Sequence, residues 1–123
     1  MDRILFEHIV EQTFDRLPPQ FKNVIENLGV VVEDYPTDDL VHKLRLRTKH
    51  DLLGLYQGIP LTARGSWYGT LPVVPDKISL YQKNIEALCT DEEQIIDKIY
   101  EVLIHEIGHY FGMSEEEIRA AGY

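Results

Sequence analysis

The residues best suited to chemistry stand close together near the end of the sequence, in the segment HEIGH formed by residues 105–109. On a helix, His105 and His109 project from one face about one turn apart, so both imidazoles can bind a single Zn²⁺. Glu106 points about 100° away from His105, where its carboxylate can reach a water molecule without being a ligand itself. The pattern therefore predicts a metal site with an adjacent general base.

Two further residues extend this pattern, since Gly112 and Glu115 follow His109 at spacings of three and six residues. On a straight helix Glu115 would lie about 9 Å beyond His109 along the axis, too far to share a metal ion. A glycine at position 112 can adopt positive φ and turn the chain back. Because only 14 residues follow His109, we expect the third ligand to be very near or to come from upstream. Glu115 is the first candidate, with Glu116 or an upstream acid as alternatives.

Composition and charge restrict the partners of this chain. The 123 residues include 12 Lys and Arg against 21 Asp and Glu, a net charge of −9, which disfavours binding to nucleic acid phosphates. The length predicts a single domain over residues 1–123. Acids stand where a signal peptide would be basic, and no apolar run approaches the roughly 18 residues of a membrane span. We therefore expect a cytoplasmic protein that binds neither nucleic acid nor membrane, and the oligomeric state stays open.

The first half of the chain predicts helices followed by strands. Apolar residues at helical spacing indicate two helices over residues 3–28, separated at Pro18, with Gly29 as the C-cap of the second. Val30–Val32 then favours a short buried strand. Alternating apolar and basic residues over 40–49 predict a second strand with one solvated face.

The second half predicts the elements that hold the site. Glycines and prolines over residues 52–61 indicate a turn-rich hairpin, and alternation over Lys77–Gln82 indicates a strand. Thr90–Glu93 reads as a capping box that starts a long helix ending near Gly112. A second capping box, Ser114–Glu117, predicts a final helical segment.

Beyond HEIGHYFGMSE, the chain resembles the minimal zincin-like metallopeptidases of bacteria over nearly its whole length. The resemblance rests on GLYQGIPLTAR (54–64), PDKISLYQKNIE (75–86), TDEE (90–93) and a closing Gly-Tyr. It implies an α+β, zincin-like single domain with a small mixed sheet packed on N-terminal helices and a long active-site helix. It further implies one Zn²⁺ per chain, with His105 and His109 as ligands and Glu106 as general base. Glu115 would be the third ligand, one methylene longer than the family's usual Asp.

Together these features predict a zinc-dependent metallopeptidase in which Glu106 assists attack of a zinc-bound water on a peptide bond. We expect its activity in vitro to be weak or narrow. A peptide or protein substrate would add as an extra strand at a sheet edge, with Arg64 as a further candidate for substrate binding. The expected edge residues are Ile78, Ser79, Leu80 and Tyr81.

Two other functions keep part of this pattern. A non-catalytic binding or regulatory module could retain the zincin-like fold, although an intact set of His105, Glu106 and His109 favours catalysis. A metal-dependent RNA-processing hydrolase could use the same ligand spacing, but with His at the third place, and the acid at position 115 and the net charge argue against RNA. A purely structural interpretation also exists for Glu115, because the helix dipole favours an acid in a first helical turn.

Overall fold

The elements of the fold are described in a computed structural model over residues 1–22, 28–58 and 76–122. The strands are β1 (Leu28–Glu33), β2 (Gly54–Gln57) and β3 (Asp76–Tyr81), and a 3-10 turn covers Lys49–Asp51. The helices are α1 (Arg3–Asp15), α2 (Pro19–Lys22), α3 (Asp38–Lys43), α4 (Gln82–Ala87), α5 (Glu92–Tyr110) and α6 (Glu115–Ala120). None of the helices in these ranges has both the length and the apolar character needed to cross a bilayer.

The described strands form a mixed three-stranded sheet in the order β1-β3-β2. Strand β1 runs parallel to β3, with Val30 opposite Ile78, and β2 runs antiparallel to β3, with Tyr56 opposite Ile78. Strand β3 is therefore central, and β1 and β2 lie on its two sides. The predicted α+β class with a small mixed sheet is confirmed.

The core lies between the sheet and the helices α1 and α5. Its buried apolar side chains come from all three elements: Phe6, Ile9 and Val10 of α1, Ile78 and Leu80 of β3, and Ile99, Leu103 and Ile107 of α5. Complete burial of one such side chain contributes about 1.5–3 kcal/mol relative to exposure. Helix α5 is thereby fixed along its length, and its remaining side chains take positions set by the core.

The predicted strand over residues 40–49 is wrong, because Asp38–Lys43 forms helix α3. The Thr37 hydroxyl caps this helix by accepting a hydrogen bond from the Leu40 N–H at 3.3 Å. Acids in the first turn and basic residues in the last turn also suit the helix dipole. Arg45, with φ 55°, then turns the chain just beyond the helix. Over so few residues, the spacing of apolar side chains is compatible with both the period of a strand and the period of a helix. The cap at Thr37 favours the helix.

Several local predictions shift by a few residues. Gly29 lies within β1 and caps no helix, while the predicted second helix is described only as α2, because residues 23–27 lie outside the described ranges. Helix α5 is capped by Asp91, which accepts from the Gln94 N–H at 2.8 Å, and the predicted box at Thr90 does not form. The second predicted box, Ser114 with Glu117, is confirmed.

The predicted hairpin at 52–61 is described in its first part only. Gly54–Gln57 is a strand, and it pairs antiparallel with β3. The last part of the predicted hairpin falls within residues 59–75, which lie outside the described residues, as does Arg64. The predicted strand over Lys77–Gln82 is confirmed as β3, while helix α4 directly after it was not anticipated.

Candidate metal centre and active site

Helix α5 places His105, Glu106 and His109 at the margin of the core. Ile104, Ile107 and Gly108 beside them are buried, while the two imidazoles are partly exposed, His109 more than His105. The buried neighbours fix the helix and therefore the directions in which the imidazoles project. The side chains that could bind a ligand thus stand on a rigid element and face outward.

The turn after α5 has the form of a Schellman motif. Gly112 adopts φ 80°, as expected from the sequence. Its N–H donates to the His109 carbonyl at 2.9 Å, and the Met113 N–H donates to the Gly108 carbonyl at 3.0 Å. These bonds satisfy carbonyl groups at the end of α5 and reverse the chain. Ser114 then caps α6, so that Glu115 becomes its first residue.

This reversal carries the Glu115 carboxylate back to the two histidines. Oε1 of Glu115 lies 3.0 Å from His109 Nε2, and Oε2 lies 3.5 Å from His105 Nε2. Among the described residues, Glu115 is the acid that forms an ion-pair contact with these imidazoles. The structure therefore brings together the three side chains that the sequence singled out, and their role as metal ligands stays a prediction.

A backbone carbonyl holds the ring of His109. His109 Nδ1 lies 3.1 Å from the Met113 carbonyl oxygen, which can only accept, so Nδ1 carries a proton and donates it. Nε2 is then the ring nitrogen that is available for a metal, and the second bond fixes its direction. For His105, Nδ1 is buried and has no hydrogen-bond partner within the described part of the chain.

The donor set can be compared with the needs of Zn²⁺. Around a tetrahedral zinc with bonds of about 2.1 Å, two donors lie about 3.4 Å apart, close to the separations of Glu115 from His109 and His105. However, no group of three or more His, Cys, Asp and Glu side chains in the described ranges is already gathered to hold an ion. The two carboxylate oxygens of Glu115 each contact a different imidazole. One oxygen must therefore move between the two imidazoles, by a rotation of the carboxylate, before all three side chains can bind the same ion. The residue types suit zinc.

Gly108 lets α6 approach α5 closely. A Cβ added at Gly108 would lie 2.7 Å from two side-chain atoms of Ile118, and Ile118 is buried. The glycine inside the HEIGH segment therefore makes room for the helix that carries Glu115. No separate signal in the sequence indicated this role.

Glu106 extends from α5 to strand β2. The backbone N–H of Tyr56 donates to Glu106 Oε1 at 2.9 Å. Burial raises the pKa of Glu106, while the nearby His109 and the hydrogen bond from Tyr56 act in the opposite direction without cancelling it. A carboxylate with a raised pKa is suited to take and return a proton.

A close approach of two elements makes this hydrogen bond possible. A Cβ added at Gly54 would lie 2.7 Å from Val102 Cγ1, 3.2 Å from the Ser79 carbonyl oxygen and 3.4 Å from Glu106 Cγ. Strand β2 therefore passes directly over α5 with no room for a side chain. Gly54 and Tyr56 belong to the site although sequence reasoning assigned them no role. The only signal for Gly54 was its place among the residues that resemble the family.

The prediction that Ile78–Tyr81 lies at an edge of the sheet is wrong, while a role of these residues in substrate binding stays a prediction. These residues form β3, which is hydrogen-bonded to β1 on one side and to β2 on the other, and their side chains are buried. Tyr81 is buried, and burial, and after it the charge of Glu33, raises the pKa of its phenol. The strand next to the motif is β2. A cleft of about 270 Å³ lies there, lined by Leu52, Leu53, Val102, His105 and Glu106 among others.

Comparisons with known proteins identify a family and a similar fold. The sequence profile of the zincin-like metallopeptidase family matches residues 25–123. In fold, the chain is similar to a conserved hypothetical protein from T. thermophilus, with a TM-score of 0.56, 20% sequence identity and coverage of 98% of both chains. At that identity the likeness shows the fold alone. No curated protein matches the sequence.

Proposed function

The chain belongs to the zincin-like metallopeptidase family, and from this premise we propose that it is a zinc-dependent peptidase with its active site on α5. One observation carries the proposal: Glu115 returns across the Gly112 turn to both imidazoles, while Glu106 on the same helix is held by the Tyr56 N–H of β2. His105, His109 and Glu115 would hold one Zn²⁺ and leave a fourth position open, as in catalytic zinc sites. When bound, zinc would polarise a substrate carbonyl and make water acidic near neutral pH.

Strand β2 would align the substrate. The Tyr56 N–H points away from β3 to Glu106, and backbone groups of alternate residues share one direction in a strand. The side of β2 that faces away from β3 therefore adjoins the proposed base. An extended peptide bound in the cleft between β2 and α5 would pass next to Glu106.

Glu106 would handle the proton. Its Oε1 is held by the Tyr56 N–H, so Oε2 is the oxygen that can accept a proton from the attacking water. The same oxygen can then return the proton to the nitrogen of the departing amine. The hydrogen bond to Tyr56 keeps the carboxylate in one orientation during both transfers.

Zinc content and cleavage together test this proposal. We expect the purified chain to contain one zinc, and His105→Ala and His109→Ala to lose it, by elemental analysis. We also expect cleavage of a mixed peptide library, read by mass spectrometry, to stop with a chelator and to return with added zinc. His42→Ala, on the exposed helix α3, serves as the control and should change neither result.

Two outcomes would overturn the proposal. If the purified chain did not bind zinc at neutral pH, the proposed zinc-dependent hydrolysis would have no chemical basis. A chain that binds one zinc through His105 and His109, yet cleaves no peptide in the library, would favour the non-catalytic binding module instead.

A further inference from the structure

A second concave surface lies at the side of the sheet opposite to β2, between α1 and β1. This α1–β1 groove has a volume of about 440 Å³. Apolar side chains from both elements form its floor and three acids of α1 line it; the residues are Val10, Phe14, Leu28, Val30 and Val32, with Glu7, Glu11 and Asp15. Since β1 and β2 are separated by β3, the groove is distinct from the candidate active site.

The acids form a row along the groove. Glu7, Glu11 and Asp15 are exposed, and in the described part of the chain none of the three forms an ion pair. Residues four apart on a helix are separated by about 6 Å along its axis. Alternate residues of an extended strand are separated by about 6.6–6.8 Å. The spacing of the acids therefore matches side chains at every second position of an extended segment.

The backbone of β1 adds a second kind of recognition. Arg3 Nη1 donates to the Val32 carbonyl oxygen at 2.9 Å, so this carbonyl points away from β3 and toward α1. By the alternation of a strand, Val30 and Leu28 present their backbone groups to the same side. Their carbonyl and amide groups have no backbone partner on that side among the described residues. Open groups of this kind are the template on which an added strand pairs.

We propose that the α1–β1 groove binds an extended cationic segment of a partner protein, with Lys or Arg at every second position. The segment pairs with β1 through its backbone. The aliphatic stems of its cationic side chains lie on Val10, Phe14 and Val30, and their charged ends reach the row of acids. An apolar floor with an acidic margin suits such side chains better than it suits purely apolar ones.

Charge also decides against a second copy of this chain as the occupant. The chain carries a net charge of −9, and pairing two β1 edges would bring two rows of acids together. Like charges across an interface weaken association, whereas a cationic segment gains from the same field.

The probe is a fluorescent eight-residue peptide of alternating Lys and Thr, with a block peptide of four Lys and four Thr as its control. Binding is followed by anisotropy at low salt. We expect the alternating peptide to bind more tightly than the block peptide. We expect Glu7→Gln with Glu11→Gln and Asp15→Asn to raise its dissociation constant about tenfold, the combined effect of three exposed ion pairs. The matched control makes the same change of charge on α5, with Glu92→Gln, Glu93→Gln and Asp97→Asn, and should change the constant less than about twofold.

A pair of N-methylated peptides tests the strand pairing. Amides of successive residues point to opposite sides of a strand, so methylation of one alternate set should abolish binding and methylation of the other should not. Equal weakening by the α1 and α5 variants would overturn the proposal, because net charge alone would then explain binding. Equal binding of both methylated peptides would overturn the strand pairing. A dimer in sedimentation analysis that the α1 variant dissociates would assign the groove to a second copy.

Discussion

The backbone N–H of Tyr56 donates a hydrogen bond to Glu106 Oε1 across 50 residues of sequence, at 2.9 Å. This bond joins strand β2 to the helix that carries both histidines. It holds one carboxylate oxygen of Glu106, while the other has no hydrogen-bond partner in the part of the chain that the structure describes. A general base must be oriented toward the group that gives up the proton, whatever the pKa of the base.

Gly54→Ala tests the close approach that permits this bond. The added methyl would meet Val102 Cγ1 at 2.7 Å and the Ser79 carbonyl oxygen at 3.2 Å, so β2 must move away from α5. We expect a loss of stability of about 1–3 kcal/mol and a fall in peptide hydrolysis of about a hundredfold, with the zinc content unchanged. Gly29→Ala is the matched control, because its added Cβ would meet its nearest atom at an ordinary 3.8 Å. Equal effects of the two substitutions on hydrolysis would contradict this role of Gly54.

Gly112→Ala tests the reversal that returns Glu115 to the histidines. With φ at 80°, alanine at this position is strained by about 1–2 kcal/mol. We expect lower stability in urea unfolding and weaker zinc binding in calorimetry. Gly112→Asn should lose less of both, since asparagine tolerates the left-handed region. If Gly112→Ala bound zinc as tightly as the wild type, the turn would not position a ligand.

Gly108→Ala tests the contact between α5 and α6. Alanine favours a helix by about 1 kcal/mol over glycine, but its methyl would lie 2.7 Å from the buried Ile118 side chain. We expect weaker zinc binding, because α6 and Glu115 are displaced. The variant with Gly108→Ala and Ile118→Ala together should lose less zinc affinity than the two single changes added up. Simple additivity would mean that the two residues do not interact.

Glu86 provides a pH-dependent test of stability. Burial raises its pKa, but a hydrogen bond from Gln82 and the ammonium group of Met1, 3.0 Å away, outweigh this, and the net pKa lies below the usual 4.5. A depressed carboxyl pKa stabilises the folded state above the unfolded pKa, and this contribution is lost as the pH falls through the folded value. We expect Glu86→Gln to lower the free energy of unfolding at pH 7 by about 1 kcal/mol, and by much less at pH 2.

Urea unfolding at the two pH values measures this difference. Glu101→Gln is the control, because its ion pair with Lys98 is exposed and contributes little. The same loss for Glu86→Gln at pH 7 and pH 2 would show that the ion pair is not its source.

Local signals explain what the sequence predicted correctly. The long helix α5, the turn at Gly112 and the box at Ser114 depend on residues within one or two turns of each other, and all three are confirmed. The return of Glu115 follows from the turn alone.

The errors have a different origin. Strand order joins segments far apart in sequence, so nothing local could place Ile78–Tyr81 in the middle of the sheet. Tyr56 was missed partly for the same reason, because its partner Glu106 is 50 residues away in sequence. In addition, its contribution is a backbone N–H, which the type of side chain does not indicate. Over residues 40–49, the alternation was read without the cap at Thr37 that decides for a helix.

Hydrolysis by the wild type and by Glu106→Gln, compared at equal zinc content, tests the role of Glu106 most directly. If Glu106 is the general base, we expect Glu106→Gln to bind zinc as the wild type does and to hydrolyse peptides about 10²–10⁴-fold more slowly, the usual contribution of a general base. Hydrolysis at the wild-type rate by zinc-loaded Glu106→Gln would contradict the assignment of Glu106 as the base, and with it the proposed peptidase site.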